Sequence, residues 1–345
     1  MKNFRLAIAI GAVLGILGSL MSLPAAAAPM SLSDSLPVIM FGGMIVNKES
    51  VQAVFTGLKA IFNNALTAVK GTWQDTTMEV PSDGAGEDYA WLNRFPKMRK
   101  WVGSKVKKNI EAKKYYVANE DWEATLAVKR NDIEDDRLGF VRVQTQQAGE
   151  SAGELHDIIS DDLKNNAFTK ECFDGQYFYD TDHPVGDASV SNKGTAALSA
   201  ATLAAAQASY GAARTAIMNF KDEEGMPLRL VPDTLEVGAA LEAVAKILVE
   251  NDKLQDGSPN PYKGTAKVKV NPGLISSTAW MLHVTAKQSV KPFIVQMRKR
   301  PVFVSQTDMT SDDVFDKGEF KFGAEARATG LFGFWQLSYG STGAG

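Results

Sequence analysis

The sequence predicts an α+β chain on three observations: helical apolar spacing in its first third, helices alternating with short strands in its middle, and aromatic or β-branched alternation near its end. The first element is a helix over residues 48–69. Val51, Val54, Phe55, Leu58, Ile61, Phe62 and Leu66 recur there at helical spacing, and Gly71 supplies a stop. Turn chemistry at residues 81–86 (Pro-Ser-Asp-Gly-Ala-Gly) then separates this arm from the next region and leaves it free to move relative to the core.

From Trp91 to Val128, aromatic and β-branched residues mix with lysine. Alternation in Tyr115-Tyr116-Val117 and again from Trp122 to Val128 favours strands, so a long basic hairpin is expected. No proline occurs between Lys97 and His183, and Ala148, Ala152, Leu155, Ile158, Ile159 and Leu163 share one helical face, which predicts one long helix. Its exposed side would carry Glu150, Glu154, Asp157, Asp161 and Asp162. Alanine-rich residues 196–220 predict another helix, residues 221–225 a turn, and Leu228-Arg229-Leu230-Val231 a short buried strand. Leu241, Val244, Ala245 and Leu248 make the next helix amphipathic, and residues 256–261 form a surface loop. The last segments, 293–297, 302–305, 320–327 and 331–337, read as antiparallel sheet.

Charge is segregated along the first half. Residues 94–114 hold nine basic side chains (Arg94, Lys97, Arg99, Lys100, Lys105, Lys107, Lys108, Lys113, Lys114) against Glu111 alone. Residues 119–136 reverse the sign, with Glu120, Asp121, Glu123, Asp132, Glu134, Asp135 and Asp136 against Lys129 and Arg130. One reading is a solvated hairpin whose arms neutralise each other; the other is a chain with complementary surfaces that binds copies of itself. Tryptophans 73, 91, 101 and 122 lie in or beside the arm and hairpin, and read as anchors at such a contact.

Composition narrows the function. A net charge of −3 over 345 residues argues against a general nucleic-acid binder, because phosphate neutralisation needs a basic footprint that residues 94–114 alone offer. The single cysteine, Cys172, excludes an intrachain disulfide and a multi-thiolate zinc site. Phosphate-loop, nucleophile-elbow and His-Glu-x-x-His patterns are absent, and three histidines leave few general bases. The one catalytic candidate is Asp180-Thr181-Asp182-His183 beside Asp174 and Cys172, where carboxylates and an imidazole could bind a metal or shuttle a proton. Such Asp-, Gly- and Thr-rich sequence more often caps turns, so no catalytic residue, metal or cofactor is assigned. His156 and His283 fall within apolar-periodic segments and read as packing or surface residues.

Ordered segments across residues 44–337 resemble the major head protein of Mu-like bacteriophages and prophages. They are Tyr89-Ala90-Trp91-Leu92 with Phe95-Pro96 and Trp101-Val102-Gly103; residues 130–136; residues 172–176 with Asp180-Thr181-Asp182-His183-Pro184; and residues 307–315 with Gly333-Phe334-Trp335-Gln336. The resemblance implies an HK97-type major capsid protein fold, and a subunit that self-assembles through hexamers and pentamers into the icosahedral shell enclosing double-stranded DNA. It implies an N-terminal arm at 44–88, an extended hairpin loop at 89–130, and a spine helix (about 138–168) with peripheral domain at 131–194. An axial domain would follow at 195–290, and peripheral strands with a C-terminal tail at 291–345. Scaffolding protein and portal are the implied partners, the host cytoplasm the place of assembly and the virion the destination, with no membrane in the mature role. On this mapping the contact residues are the nine basic side chains with Trp101 on one subunit, and Glu150, Glu154, Asp157, Asp161 and Asp162 on its neighbour.

Residues 1–43 stand apart from the family pattern. Lys2 and Arg5 precede an apolar run from Leu6 to Leu20 and four alanines at 25–28, which has the parts of a secretory signal. A start placed too far upstream, with Met44 opening the protein, or a removable extension, is the expectation that agrees with the family. An exported enzyme or binding protein using Asp174, Asp180, Asp182 and His183 is the alternative.

Overall fold

The computed structural model describes residues 46–93, 115–135, 137–286 and 289–345. The signal-like segment and the basic stretch 94–114 lie outside the described residues. Helix α1 (Lys48–Ala68) opens with a capping box: Ser50 N donates to Asn47 Oδ1 at 2.8 Å, and Asn47 N donates to Ser50 Oγ at 3.0 Å. Strand β1 (Thr77–Pro81) follows, then β2 (Gly86–Asp88) and β3 (Tyr116–Ala118), which pair antiparallel at the two ends of the charged segment. Next come β4 (Glu120–Lys129), the short α2 (Arg130–Glu134), α3 (Leu138–Gly153) and α4 (Leu155–Asn165).

Three expectations are corrected here. The arm is built into the body: Val51, Phe55 and Leu58 of α1 share one apolar cluster with Val128, Ile133, Leu138, Val141, Phe320 and Phe322. The long hairpin does not extend to Val128, because β4 pairs with a late strand instead. The single helix over 138–168 is two helices that bend at Glu154 (φ −81°, ψ −3°) and stop at Asn165. The bend follows Gly153, a weak helix former placed where a Cβ would meet Val69 Cβ at 2.7 Å.

The middle region begins with β5 (His183–Val185), β6 (Ala188–Val190) and β7 (Lys193–Gly194). Residues 196–202 are not helical. The helix starts only at α5 (Leu203–Ala206), where Ala205 N donates to the N-cap Thr202 Oγ1, and passes through a π turn (Gln207–Gly211) into α6 (Ala212–Met218). Residues 228–231 form no strand. Leu228 and Leu230 are buried, but Arg229 takes a left-handed backbone (φ 56°), which breaks the pleat that pairing needs. The strand is β8 (Thr234–Val237), followed by α7 (Glu242–Glu250), β9 (Lys267–Val270) and β10 (Trp280–His283).

At the end of the chain, β11 (Phe293–Gln306) is one strand rather than two; its register shifts between Met297 and Val302, where Pro301 has no N–H to offer. Helix α8 (Asp312–Lys317) leads to β12 (Glu319–Phe332). Residues 331–337 are not a strand: Leu331 and Phe332 end β12, and 335–337 form a 3₁₀ turn before β13 (Ser338–Ser341).

Two sheets organise the molecule. The first has the order β1-β11-β12-β4, with β1 parallel to β11 and the other pairs antiparallel. Helix α4 lies on it, with Leu155 and Ile159 clustered with Val295, Met297, Ala326 and Ala328. The second has the order β7-β13-β10-β8-β9. The C-terminal strand β13 therefore joins the sheet of the middle region, not the peripheral one. This five-stranded sheet holds the largest core, centred on Trp280, Leu282, Leu235, Val237 and Trp335. The architecture is α+β.

Candidate assembly site

The acidic row expected along the spine divides once the helix is in place. Glu154 and Asp162 are exposed, and Glu150 is half-buried, accepting from Gln146 Nε2 at 2.9 Å. Asp157 instead accepts from Thr72 N at 3.0 Å and Thr72 Oγ1 at 3.2 Å, tying the turn after α1 to α4. Asp161 accepts from Asn271 Nδ2 at 2.7 Å. Leu155, His156, Ile159, Ser160, Leu163 and Lys164 are all buried, so α4 sits deep, and Asp157 and Asp161 at its margin meet neighbouring segments while Asp162 faces solvent. Burial raises Asp161 from its ordinary value despite the Asn271 bond.

The tryptophan anchors also divide. Trp73 stacks on His156 at 4.6 Å, and Trp122 Nε1 donates to Ala328 O, so both pack within the subunit. Trp91 remains partly exposed, edge-on to Phe334; Trp101, like the nine basic residues, lies outside the described residues. Sequence reasoning missed the outward apolar side chains. Phe315 is 87% exposed and Phe140 70%, each next to a residue of the α1 cluster, and Ile275 is 86% exposed beyond β9. Phe140 was detectable as an apolar residue out of phase with the buried stripe of its helix.

A buried polar network joins the two sheets. Lys164 Nζ of α4 donates to Glu236 Oε1 of β8 at 2.9 Å, Asn271 Nδ2 reaches the same oxygen at 2.8 Å, and Lys269 Nζ is 3.7 Å away. His283 Nε2 of β10 lies 3.1 Å from the other oxygen, and its Nδ1 lies 2.9 Å from Ser338 Oγ of β13. Burial pushes Glu236 up, but Lys164, His283 and Lys269 together hold it well below the usual carboxylate range. Burial pulls His283 below the ordinary imidazole value against the attraction of Glu236. The signal was in the sequence: a lone Glu between Leu235 and Val237 and a lone His after Trp280-Met281-Leu282 are ionisable groups in strands that are otherwise apolar.

The Asp/His segment is not the acid–base site the alternative required. Asp174 and His183 meet at 2.7 Å, but Asp180 caps a local turn by accepting from Tyr177 N and Thr181 N, and Asp182 is exposed. With no metal beside it, burial pushes the Cys172 thiol up, which keeps it protonated and disqualifies it as a nucleophile.

A sequence-family profile described as Mu-like prophage major head subunit gpT matches residues 51–207, 195–274 and 273–344. The chain belongs to this family. It is 27% identical over 295 residues to the major capsid protein of Escherichia phage Mu, covering 86% of this chain and 74% of that protein. It is 26% identical over 294 residues to the FluMu prophage major head subunit of Haemophilus influenzae, covering 85% and 73%. Among solved structures, the procapsid of bacteriophage JBD30 superposes with a TM-score of 0.53 at 26% identity, covering 86% of this chain and 76% of that one. The JBD30 capsid gives 0.52 at 25% identity, covering 67% and 99%. The fold is the HK97-type major capsid protein fold, and the family is one of phage head subunits. Among the described residues no helix is long and apolar enough to cross a membrane.

Proposed function

We propose that this chain is a structural protein, the repeating subunit of an icosahedral phage head. It assembles through hexamers and pentamers in the host cytoplasm on scaffolding protein, with a portal at one vertex, and the finished virion shell encloses double-stranded DNA without gripping it by sequence. The observation that carries this reading is the family match, which runs through nearly the whole described chain. Basic residues of 94–114 on one subunit meet the outward acids Glu150, Glu154 and Asp162 of the next, and their charges set register and encounter. Exposed ion pairs contribute about 0–1 kcal/mol each, so apolar side chains such as Phe315, Phe140 and Ile275 supply most of the contact energy.

The test is expression with the neighbouring phage assembly genes, from Met1 and from Met44, followed by gradient sedimentation and negative-stain microscopy. Closed shells of uniform size are expected. A soluble monomer that never polymerises in either form, with all assembly genes present, overturns the reading.

A further inference from the structure

Of the three histidines, His183 alone faces on both nitrogens oxygens that can only accept, the Asp174 carboxylate and the Asn192 amide carbonyl. Its ring is held parallel to Trp335 at 4.1 Å and is fully buried. Nε2 lies 3.2 Å from Asn192 Oδ1, and the orientation of that amide is fixed from both ends. Asn192 Nδ2 donates to the carbonyls of Phe178, Trp335 and Ser338, while Asn192 Oδ1 accepts from Asp180 N. A flipped amide would set carbonyl against carbonyl and N–H against N–H. Nε2 must therefore donate, which leaves the Nδ1 lone pair of a neutral ring aimed at the Asp174 carboxylate, 2.7 Å away. His283 escapes this conflict because a serine hydroxyl can either give or take a proton.

A lone pair and a carboxylate at that distance share a cation, either a second proton or a metal ion. The third member of the cluster points to the second choice. Cys172 Sγ lies 3.1 Å from Asp174 Oδ1, brought there by a tight turn in which Cys172 N donates to Gln176 O and Gly175 takes φ 85°. The sulfur, oxygen and nitrogen ligand atoms all lie within 4.8 Å of one another. Around them the outer contacts of a metal site are already made: Asn192 fixes the imidazole tautomer, and Gln176 N holds Asp174 Oδ1.

We propose that Cys172, Asp174 and His183 bind one divalent transition-metal ion of the zinc class, clamping the 171–177 turn to the start of β5. Sulfur, imidazole and carboxylate together suit such an ion better than calcium or magnesium. Binding is a charge-neutral exchange: the thiol proton and the proton shared by His183 and Asp174 leave, and one dication enters. Metal–ligand bonds of about 2.0–2.3 Å require Nδ1 and Oδ2 (2.7 Å) and Sγ and Oδ1 (3.1 Å), which are now hydrogen-bonded, to part by roughly half an ångström.

The experiment is cobalt(II) and zinc(II) titration of the untagged, EDTA-treated full chain, with metal content measured after gel filtration. Cys172 is the sole thiol, so a thiolate-to-cobalt charge-transfer band can arise only there. One ion per chain, the band, its loss in Cys172→Ser and in His183→Gln, and a higher unfolding temperature with zinc are expected. Wild-type protein that takes up no ion, or binds cobalt without the thiolate band, overturns the proposal and leaves the second proton as the shared cation. This readout on the wild type decides the matter even where a variant fails to fold.

Discussion

Replacing Lys164 by methionine removes one charge from the junction between the two sheets while keeping most of the side-chain volume. Lys164 and Glu236 have 1% and 0% of their side chains exposed, so the carboxylate left behind cannot recruit water. Breaking a buried pair from one side costs about 3–5 kcal/mol. Because His283, Asn271 and Lys269 still face Glu236, the lower end, about 3 kcal/mol, is expected. Glu236→Gln should cost a similar amount, and the double variant should lose less than the sum of the two, since neither charge then remains unpaired. Urea unfolding of the unassembled subunit reads this through Trp280, which is buried in the same strand as His283. If both single variants lose less than about 1 kcal/mol, the value of a solvated surface pair, the pair is not closed off from water and the argument fails.

The same network predicts the acid response. His283 is depressed below its ordinary 6.5 in the folded chain, so the unfolded chain binds the proton more readily and stability falls as pH drops below about 6.5. Glu236 is depressed below 4.5; its contribution is complete above that value and is lost as pH falls further, a second decline that Glu236→Gln should lack. Gly149→Ala should destabilise by about 1–3 kcal/mol despite the better helix former, because its Cβ would lie 2.6 Å from Phe62 O and 2.8 Å from Ala65 Cβ of α1; a neutral result in urea unfolding would mean that α1 yields freely. Phe315→Ser should change subunit stability by no more than about 0.5 kcal/mol yet lower the yield of shells in sedimentation, and undiminished yield would remove Phe315 from the contact. Raising salt from 0.1 to 1 M shortens the screening length from about 10 to 3 Å, so assembly followed by light scattering should slow while finished shells persist; shells that dissolve would mean charge, not apolar burial, holds them.

The order of elements was legible because it rests on local signals. The α1 stripe, the Ala245 and Leu248 face and the alternation in β12 each appear in the sequence as periodicity, and each forms. What was not legible depends on distant partners. The edge strand β4 looks like a hairpin arm until β12, some two hundred residues later, claims it. Asp157 and Asp161 look solvated until Thr72 and Asn271 arrive beside them. At 228–231 a short buried strand was expected, but a single left-handed residue, Arg229, makes it coil in which only Leu228 and Leu230 are buried. In the Asp/His segment the turn reading holds for Asp180, whereas the meeting of Asp174 with His183 depends on Asn192 and Trp335, which no spacing rule connects.

The placement of charge within the subunit has a physical logic suited to a repeating part. An ion pair buried between two sheets adds little stability over well-packed apolar residues, but it tolerates few alternative geometries, because any slip leaves a charge without a partner. Lys164 on the helix of the first sheet meets Glu236, with Lys269 and His283, on three strands of the second, and so ties the two layers together at one buried point. A closed shell requires every copy to meet its neighbours within narrow limits, so an error at that junction would be repeated around each ring of subunits. Exposed charges face the opposite demand: contacts formed by weak, solvated pairs can break and re-form until the register is right. Rigid charge inside and reversible charge outside is the division expected where internal geometry must be fixed before assembly and errors between subunits must remain correctable.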